Sequence, residues 1–575
     1  MAAMKRAREI IYDDKKIENN SNLSISTNDN NNIEKIKNEA MFVNDEGDFP
    51  VKVGMIKRNI DTNKYTSQLD FSFKGINHKL DVERGSYLNR RKIMELQNYG
   101  LDVTEENVLK LIRHLRYTES NALVTLVHSR LGFDKLDEKY VFKHYLGVNT
   151  PSSYSGKLDI EPKGNYGKWF TTINQHVVNN IPLETMLVIG FSSAIVGLLS
   201  LISNSDSLLV HTTGDSTTGK TTASMLAISI WGNPSTKISN GLATTWNATE
   251  NAMFSNIVGN RGLAVLFDEV SMNDSLDFTK HIYKFTGNKD KHRLDKESKL
   301  EEPGEWGTTI ISNGEFSMIG KAKKNTGAKL RIVELNNVEW TKDAESADVI
   351  QETILDNYGH AGIEFVKLLL KDGVEKIYEE IMELKKHTIE KMKEEGITDK
   401  FVERRAWKYT ILMYTVIKVK ELLSIPLHVE DIWTFLIENE KESMSTRDLN
   451  KNAFDYFKEL LNINYKKFLR SDSKEAMSDD EAKDSTFETM GKINVLSNKD
   501  YNEICIYPTT FRKIMDNGGF EDTKTILKTW KEEGILDCEA DRYTRKRIII
   551  QSGGTVSVYV IRISKDDLVE NLEDN

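Results

Sequence analysis

Gly214-Asp215-Ser216-Thr217-Thr218-Gly219-Lys220-Thr221 have the residue types and spacing of a cradle for nucleotide phosphates. Two glycines let the backbone turn its N–H groups inward. A lysine can reach the β- and γ-phosphates, and a threonine hydroxyl can ligate Mg²⁺. We assign Gly214, Asp215, Ser216, Thr217, Thr218, Gly219, Lys220, Thr221 and the following Thr222 to nucleotide binding, with ATP and Mg²⁺ as the expected cofactors. The flanks fit. "SLLVHTT" (207–213) reads as a short apolar strand, and "TASMLAISIW" reads as a helix whose positive end faces the anion.

Three further signals follow in order. "GLAVLFDEV" is an apolar strand ending in two carboxylates: Asp268 to hold the magnesium shell with Thr221, and Glu269 to polarise the attacking water. "GTTIISNGE" (307–315) ends in Asn313, placed to orient that water. "GAKLRIVEL" carries Arg331, which at the start of the next strand can point into a neighbouring subunit's nucleotide and stabilise transition-state charge. A phosphate loop, acidic pair, asparagine, arginine and then helices is the layout of an AAA+ ATPase, a ring-forming motor class. The catalytic set expected is Lys220, Asp268, Glu269, Asn313 and Arg331.

The elements that must position these residues are an α/β core at 181–342 and a helical lid with its extension at 343–470. Ahead of the core, residues 1–41 read as a polar, asparagine-rich tail and 42–180 as an α+β domain. In that domain Leu69, Phe71 and Phe73 alternate on one strand face. Val108, Leu111, Ile112 and Leu115 form a helical stripe after a Thr104 cap. An acidic linker (471–485) precedes a C-terminal unit at 486–575 that reads as a winged helix. There, Ile526, Leu527 and Trp530 turn inward, while Lys524, Lys528 and Lys531 are available outward. A hairpin turning at Ser552-Gly553-Gly554 carries Arg542, Arg545, Lys546 and Arg547. A basic winged helix binds duplex DNA or docks a protein.

The chain's 575 residues carry a formal charge of −10, which excludes a uniformly basic nucleic-acid coat and requires any DNA contact to be local. One local patch is "GNKDKHRL", with Lys289, Lys291, His292 and Arg293 around a turn in the insertion 283–306. A hairpin there would project toward the pore of a ring. Two cysteines without CxxC spacing and no secretory signal lead us to expect a cytoplasmic location. The apolar run 187–203 holds three serines and falls short of a span, so it is expected as a buried helix rather than a membrane segment.

"WNATENAMFSNI", "GNKDKHR", "WGTTIISNGE" and "YGHAGIEFV", together with the phosphate loop, resemble the Rep and Cch initiator helicases of staphylococcal pathogenicity islands and cassette chromosomes. Those proteins are similar to minichromosome-maintenance helicases. The resemblance implies a self-loading ring, a hexamer, that recognises and melts the replication origin of a mobile element and unwinds DNA. Its partners would be single- and double-stranded DNA. It also implies roles for Lys291 and Arg293 in a pre-sensor hairpin, where Asp290 stands in place of an expected glycine. A second sensor would be Arg404 or Arg405. The N-terminal domain would form a ring collar or dock a partner such as an element-encoded primase. Two other readings compete: an ATP-controlled origin-binding switch without unwinding, and a DNA-packaging or remodelling motor. A primase–helicase fusion would need clustered carboxylates ahead of the core, and 42–180 has none.

Overall fold

The computed structural model describes residues 49–567 except 274, 276, 291–292, 295–299, 302–303, 323–325, 448, 472–488, 521–522, 540 and 551–553. The expected tail, all but the first residue of the expected linker, Lys291, His292, Ser552 and Gly553 lie outside the described residues. The described chain is mixed α/β and falls into two units. One comprises 49–273, 284–315 and 337–437; the other comprises 274–283, 316–336 and the chain from 438 onward.

The first unit opens with β1 (Val51–Asn59), β2 (Tyr65–Phe73) and β3 (Ile76–Glu83), paired antiparallel in sequence. Leu69 and Phe71 alternate into the core as expected. Phe73 shares their strand face but is 44% exposed, because it ends the strand at the Lys74-Gly75 turn. Helix α1 (Val108–Ser120) buries Val108, Leu111 and Leu115 against this sheet. Ile112 is only half-buried and His114 takes the inward place, its Nε2 2.7 Å from the Val51 carbonyl. Thr104 and Asn107 exchange side-chain bonds with each other's backbone N–H, so the Thr104 cap closes the turn before the helix proper.

Strand β4 (Leu123–His128) joins β1 in parallel. β5 (Leu131–Leu136) and β6 (Lys139–Lys143) then form a hairpin, and β7 (Ser152–Tyr154) extends the first sheet beyond β4. The buried ammonium of Lys143 lies 2.5 Å from both Asp61 and Asp134, which satisfies a charge that would otherwise be costly to bury.

Helix α2 (Ile181–Ile202) covers the apolar run and is long and apolar enough to cross a membrane. It is buried almost throughout from Leu183 to Leu199, as a core helix. Asn180 caps it, accepting the Leu183 N–H, and Pro182 fits the first turn, where no N–H partner is needed.

Then come β8 (Leu208–Thr213), α3 (Lys220–Ser229), β9 (Ala243–Thr245), α4 (Glu250–Ser255), β10 (Asn260–Arg261) and β11 (Val265–Asp268). β12 (Arg293–Leu294) and β13 (Leu300–Glu301) pair antiparallel, and β14 (Thr309–Gly314) returns to the core. β8, β14, β11 and β9 lie side by side in that order, all parallel, with strands buried on both faces. Helices α5 (Ala344–Asp356), α6 (Ala361–Asp372), α7 (Val374–Glu394) and α8 (Val402–Leu423) complete the unit.

Residue 180 does not separate two independent bodies. β10, four residues before β11, pairs with β5 through Asn260↔Leu131 and Arg261↔Gly132. The buried His144 ring donates Nε2–H to the Trp231 carbonyl at 2.7 Å, and burial pushes its pKa down to about 4, so it stays neutral.

The second unit contains β15 (Ile332–Asn336), α9 (Leu449–Ile463), β16 (Phe468–Arg470), β17 (Gly491–Asn494) and β18 (Tyr501–Ile506). They are followed by α10 (Pro508–Asn517), α11 (Thr523–Glu532), β19 (Leu536–Asp537), β20 (Arg545–Arg547) and β21 (Val556–Ser564). Phe457, Phe511, Ile526, Leu527 and Trp530 fill its core beneath the sheet β16-β17-β18-β21-β19. β20 pairs with β21 as an antiparallel hairpin, though over only three residues.

Candidate nucleotide site and nucleic-acid surfaces

The loop between β8 and α3 depends on backbone conformations that side chains resist. Gly214 has φ +142° and Gly219 φ +84°, and a Cβ on Gly219 would sit 2.7 Å from the Thr341 hydroxyl. Glycine is therefore required at 219 twice over, by conformation and by space. Lys220 begins the helix. Its ammonium donates to the Gly214 carbonyl at 2.9 Å and to the Asp215 carbonyl, so the positive charge is held over the loop. Ser216 donates to Glu315 at 2.7 Å.

A cavity of about 620 Å³ opens here, lined by Ser216 through Thr222, Glu269, Asn313, Thr341, Asp343 and Asp348, among others. Gly214 and Asp215 shape the loop but are not among the lining residues. Thr341, Asp343 and Asp348 were not foreseen, nor was Glu315. Glu315 directly follows β14, whereas the other three arrive from a later part of the chain that folds back over the loop, anchored by the Trp340 N–H on the Thr218 carbonyl at 2.9 Å. The available signal was Asp343 as a helix cap: its carboxylate accepts the Ser346 N–H at 2.7 Å.

The acidic pair and the asparagine meet because β11 and β14 run parallel in register, Phe267 opposite Ser312. Asn313, 3% exposed, accepts the Glu269 N–H on its side-chain oxygen at 2.8 Å. Glu269 has φ +64° and ψ +65°, a left-handed conformation costing a non-glycine residue about 1–3 kcal/mol. Burial pushes the Asp268 carboxyl up, against the opposing pull of the Asn313 side chain and the Glu269 N–H. Asp268 Oδ1 is buried without a hydrogen-bond partner. Asp268 itself is not among the cavity's lining residues, but an orphaned carboxylate oxygen beside Glu269 and the threonines of the loop are oxygen donors of the kind Mg²⁺ takes.

Arg331 belongs to the second unit, where its guanidinium lies 5.1 Å from the centre of the Tyr283 ring. Of the two lid arginines, Arg405 is buried in an ion pair with Asp399, whereas Arg404 is exposed. Neither lines the cavity.

The fold has a solved counterpart, titled "SCCmec type IV Cch - active helicase". It superposes with a TM-score of 0.71 at 21% identity, over 90% of this chain and 93% of that one. Residues 448–566 match the family model described as the Cch helix turn helix domain. The chain has the Cch-type fold. Residues 25–303 match a model for a domain of unknown function, DUF927, which runs across the front of the Cch-type fold and through β11. The apo C-terminal region of NrS-1 gives a TM-score of only 0.22 at 10% identity, over 66% of this chain and 90% of that one. No curated protein matches.

Within the Cch-type fold the basic insertion forms the expected hairpin base, β12 with β13; the Arg293 backbone begins it, and Lys291 lies outside the described residues. Lys289 is exposed and lies 3.2 Å from Glu305, which also holds Arg261 at 2.7 Å. Asp290 sits at the base of the hairpin. Its N–H bonds the Gly304 carbonyl, and its carboxylate lies 3.2 Å from Lys284. Lys284 in turn lies 3.1 Å from Glu250 and stacks 3.6 Å above the Phe254 ring on α4.

In the helix-turn-helix segment, Ile526, Leu527 and Trp530 are buried, while Lys524, Lys528 and Lys546 are exposed. Lys531 is half-buried, donating to the Glu539 carbonyl at 3.1 Å. Arg545 and Arg547 both turn to Asp537, at 2.9 and 3.6 Å, together with Arg562 at 3.2 Å. Arg562 was not foreseen, and Arg542 pairs with Glu539 at 2.9 Å.

Proposed function

We propose that this chain is an ATP-hydrolysing DNA helicase of a mobile genetic element, an AAA+ motor that assembles into a hexameric ring and initiates replication at its own origin. The observation that carries the reading is the Asn313–Glu269 contact over the loop of Lys220. A base for water and the group that orients it stand together beside a phosphate cradle.

In this reading the loop N–H groups and Lys220 bind the β- and γ-phosphates, and Thr221 and Asp268 hold Mg²⁺. The metal supplies charge neutralisation on the phosphate oxygens. Glu269 accepts the proton of the attacking water, and Asn313 fixes Glu269 through its backbone. Arg331 of a neighbouring subunit completes the site. The helices of the C-terminal winged helix would find the origin through Lys524, Lys528, Lys546 and the arginines of its hairpin. Lys289, Lys291 and Arg293 would track DNA in the ring. The Cch-type fold, in which a relative is titled an active helicase, supports DNA as the track.

The test is strand displacement on a forked duplex with ATP. Wild type is expected to unwind, Lys220→Ala to do nothing, and Lys291→Ala/Arg293→Ala to hydrolyse ATP without unwinding. Hydrolysis with no strand separation on any DNA geometry would sink the helicase reading and favour a switch or a remodelling motor.

A further inference from the structure

The N-terminal sheet carries a cleft that the nucleotide site does not use. It encloses about 410 Å³ between the β2–β3 turn and a 3-10 turn at Glu95–Tyr99. Its walls are aromatic. Phe73 is 44% exposed and Tyr99 57% exposed, and His78 stacks on Phe71 with ring centres 5.2 Å apart and planes 16° apart. Gly100 forms the floor with φ +89°; a Cβ there would lie 2.9 Å from the Phe73 ring, so glycine is what lets the ring settle over the turn. Asn98 is exposed at the mouth and offers both a donor and an acceptor.

The rim is cationic. Lys79 lines the cleft and Lys74 sits 5.6 Å from the Phe73 ring centre. Asp81, a nearby acid on β3, is neutralised by Lys57 at 2.6 Å, while Asp70, which accepts from Gln68 at 2.9 Å, stands directly across from Lys79 in the β2–β3 register. Residues 49–122 carry thirteen Lys and Arg against nine Asp and Glu, in a chain whose net charge is −10. The cleft therefore sits in a locally basic region of an acidic protein. A protein-docking surface would be expected to deplete lysine at its centre. Interleaved lysines and open rings instead suit a polyanion that has flat faces to stack.

We propose that this cleft binds single-stranded nucleic acid, with a base entering between Phe73 and Tyr99 while Lys74, at the β2–β3 turn, holds a flanking phosphate. Every base has a π face, so such a site tolerates any sequence. A duplex, whose base faces are already stacked, has none to offer, and the cleft selects single strands. Binding here needs no ATP, so the site stands whether or not the motor unwinds.

The experiment uses the full chain without nucleotide. An oligo(dT) substituted with 5-iododeoxyuridine is photocrosslinked and the adducts mapped by mass spectrometry. Fluorescence anisotropy then measures a labelled oligo(dT) and a hairpin duplex against wild type, Phe73→Ala/Tyr99→Ala and Phe73→Trp/Tyr99→Phe. Expected are adducts on Phe73, His78 or Tyr99, about tenfold weaker single-strand binding by the alanine pair, near wild-type binding by the aromatic pair, and unchanged duplex affinity. Adducts confined to other segments, or an alanine pair that binds oligo(dT) like wild type, would overturn the proposal. So would unchanged single-strand affinity with self-association lost in the alanine pair, which would assign the cleft to a second copy of the chain.

Discussion

The side-chain oxygen of Asn313 accepts the backbone N–H of Glu269 at 2.8 Å. A residue on the neighbouring strand thereby fixes Glu269, whose backbone is left-handed, directly after β11. Asn313→Ala removes that brace while leaving the phosphate loop intact. ATP turnover is expected to fall about 10²-fold, as when a positioned catalytic partner is lost, with nucleotide affinity changed little. Steady-state hydrolysis alongside fluorescent-nucleotide titration separates the two effects; a parallel loss of affinity would contradict the assignment.

Glu269 costs the fold stability for the sake of its position. Glu269→Gly relieves the positive φ at no steric cost, whereas Glu269→Gln keeps it. Both should lose hydrolysis and keep ATP binding. Only the glycine variant should be the more stable one, by about 1 kcal/mol, since strain relief outweighs added chain entropy. Thermal melting of the two variants side by side provides the comparison.

Asp268 gives a pH dependence of definite sign. Its folded carboxyl is pushed up by burial, so the ionised form is a burden on the metal-free fold. That burden is present at neutral pH and is relieved as pH falls through the raised value. Asp268→Asn should therefore melt higher than metal-free wild type at neutral pH, and the gap should close on acidification. Mg²⁺ should stabilise wild type and leave the variant unmoved.

Lys284 is 10% exposed and holds Glu250, Asp290 and the Phe254 face at once. Lys284→Met takes one cationic partner from both Glu250 and the largely buried Asp290 carboxylate and should cost about 1–3 kcal/mol. The informative readout is coupling. Basal ATP hydrolysis is expected to persist while its stimulation by DNA is lost, because the hairpin base is no longer tied to α4.

Asp537 draws three arginines to one carboxylate and so masks part of the positive charge of the C-terminal hairpin. Asp537→Asn should lower the melting temperature of the chain and tighten duplex binding at low salt. The slope of log affinity against log salt should steepen by about 0.9 for each additional phosphate neutralised. An unchanged slope would mean that these arginines serve packing alone.

What could be read from sequence was what neighbouring residues decide together. The loop from Gly214 to Thr221 is contiguous, and Asp268, Glu269 and Asn313 each end an apolar run, so periodicity alone marks where a parallel sheet delivers them. Thr341 and Asp343 escaped notice because their place depends on the chain returning over the loop, which no local pattern records. Alternation put Phe73 on one strand face with Leu69 and Phe71, but a two-residue period cannot say where a strand outruns the layer packed on that face. The run Arg545-Lys546-Arg547 reads as free charge until the strand pairing brings β19, with Asp537, alongside β21.

The pairing of β10 with β5 bears on how such a chain can change over time. Asn260 and Arg261 draw backbone bonds from a strand some 130 positions earlier, and the Trp231 carbonyl depends on an imidazole from the same region. A recombination event that exchanged everything before residue 181 would have to supply a matching strand edge and a matching ring. Without them it would leave bare polar groups four residues from β11. The front of the chain and the sheet that carries the phosphate-cradle loop are thus tied as one inheritable block, while the C-terminal segment, with a core of its own, is the part better suited to being traded for one that addresses a different stretch of DNA.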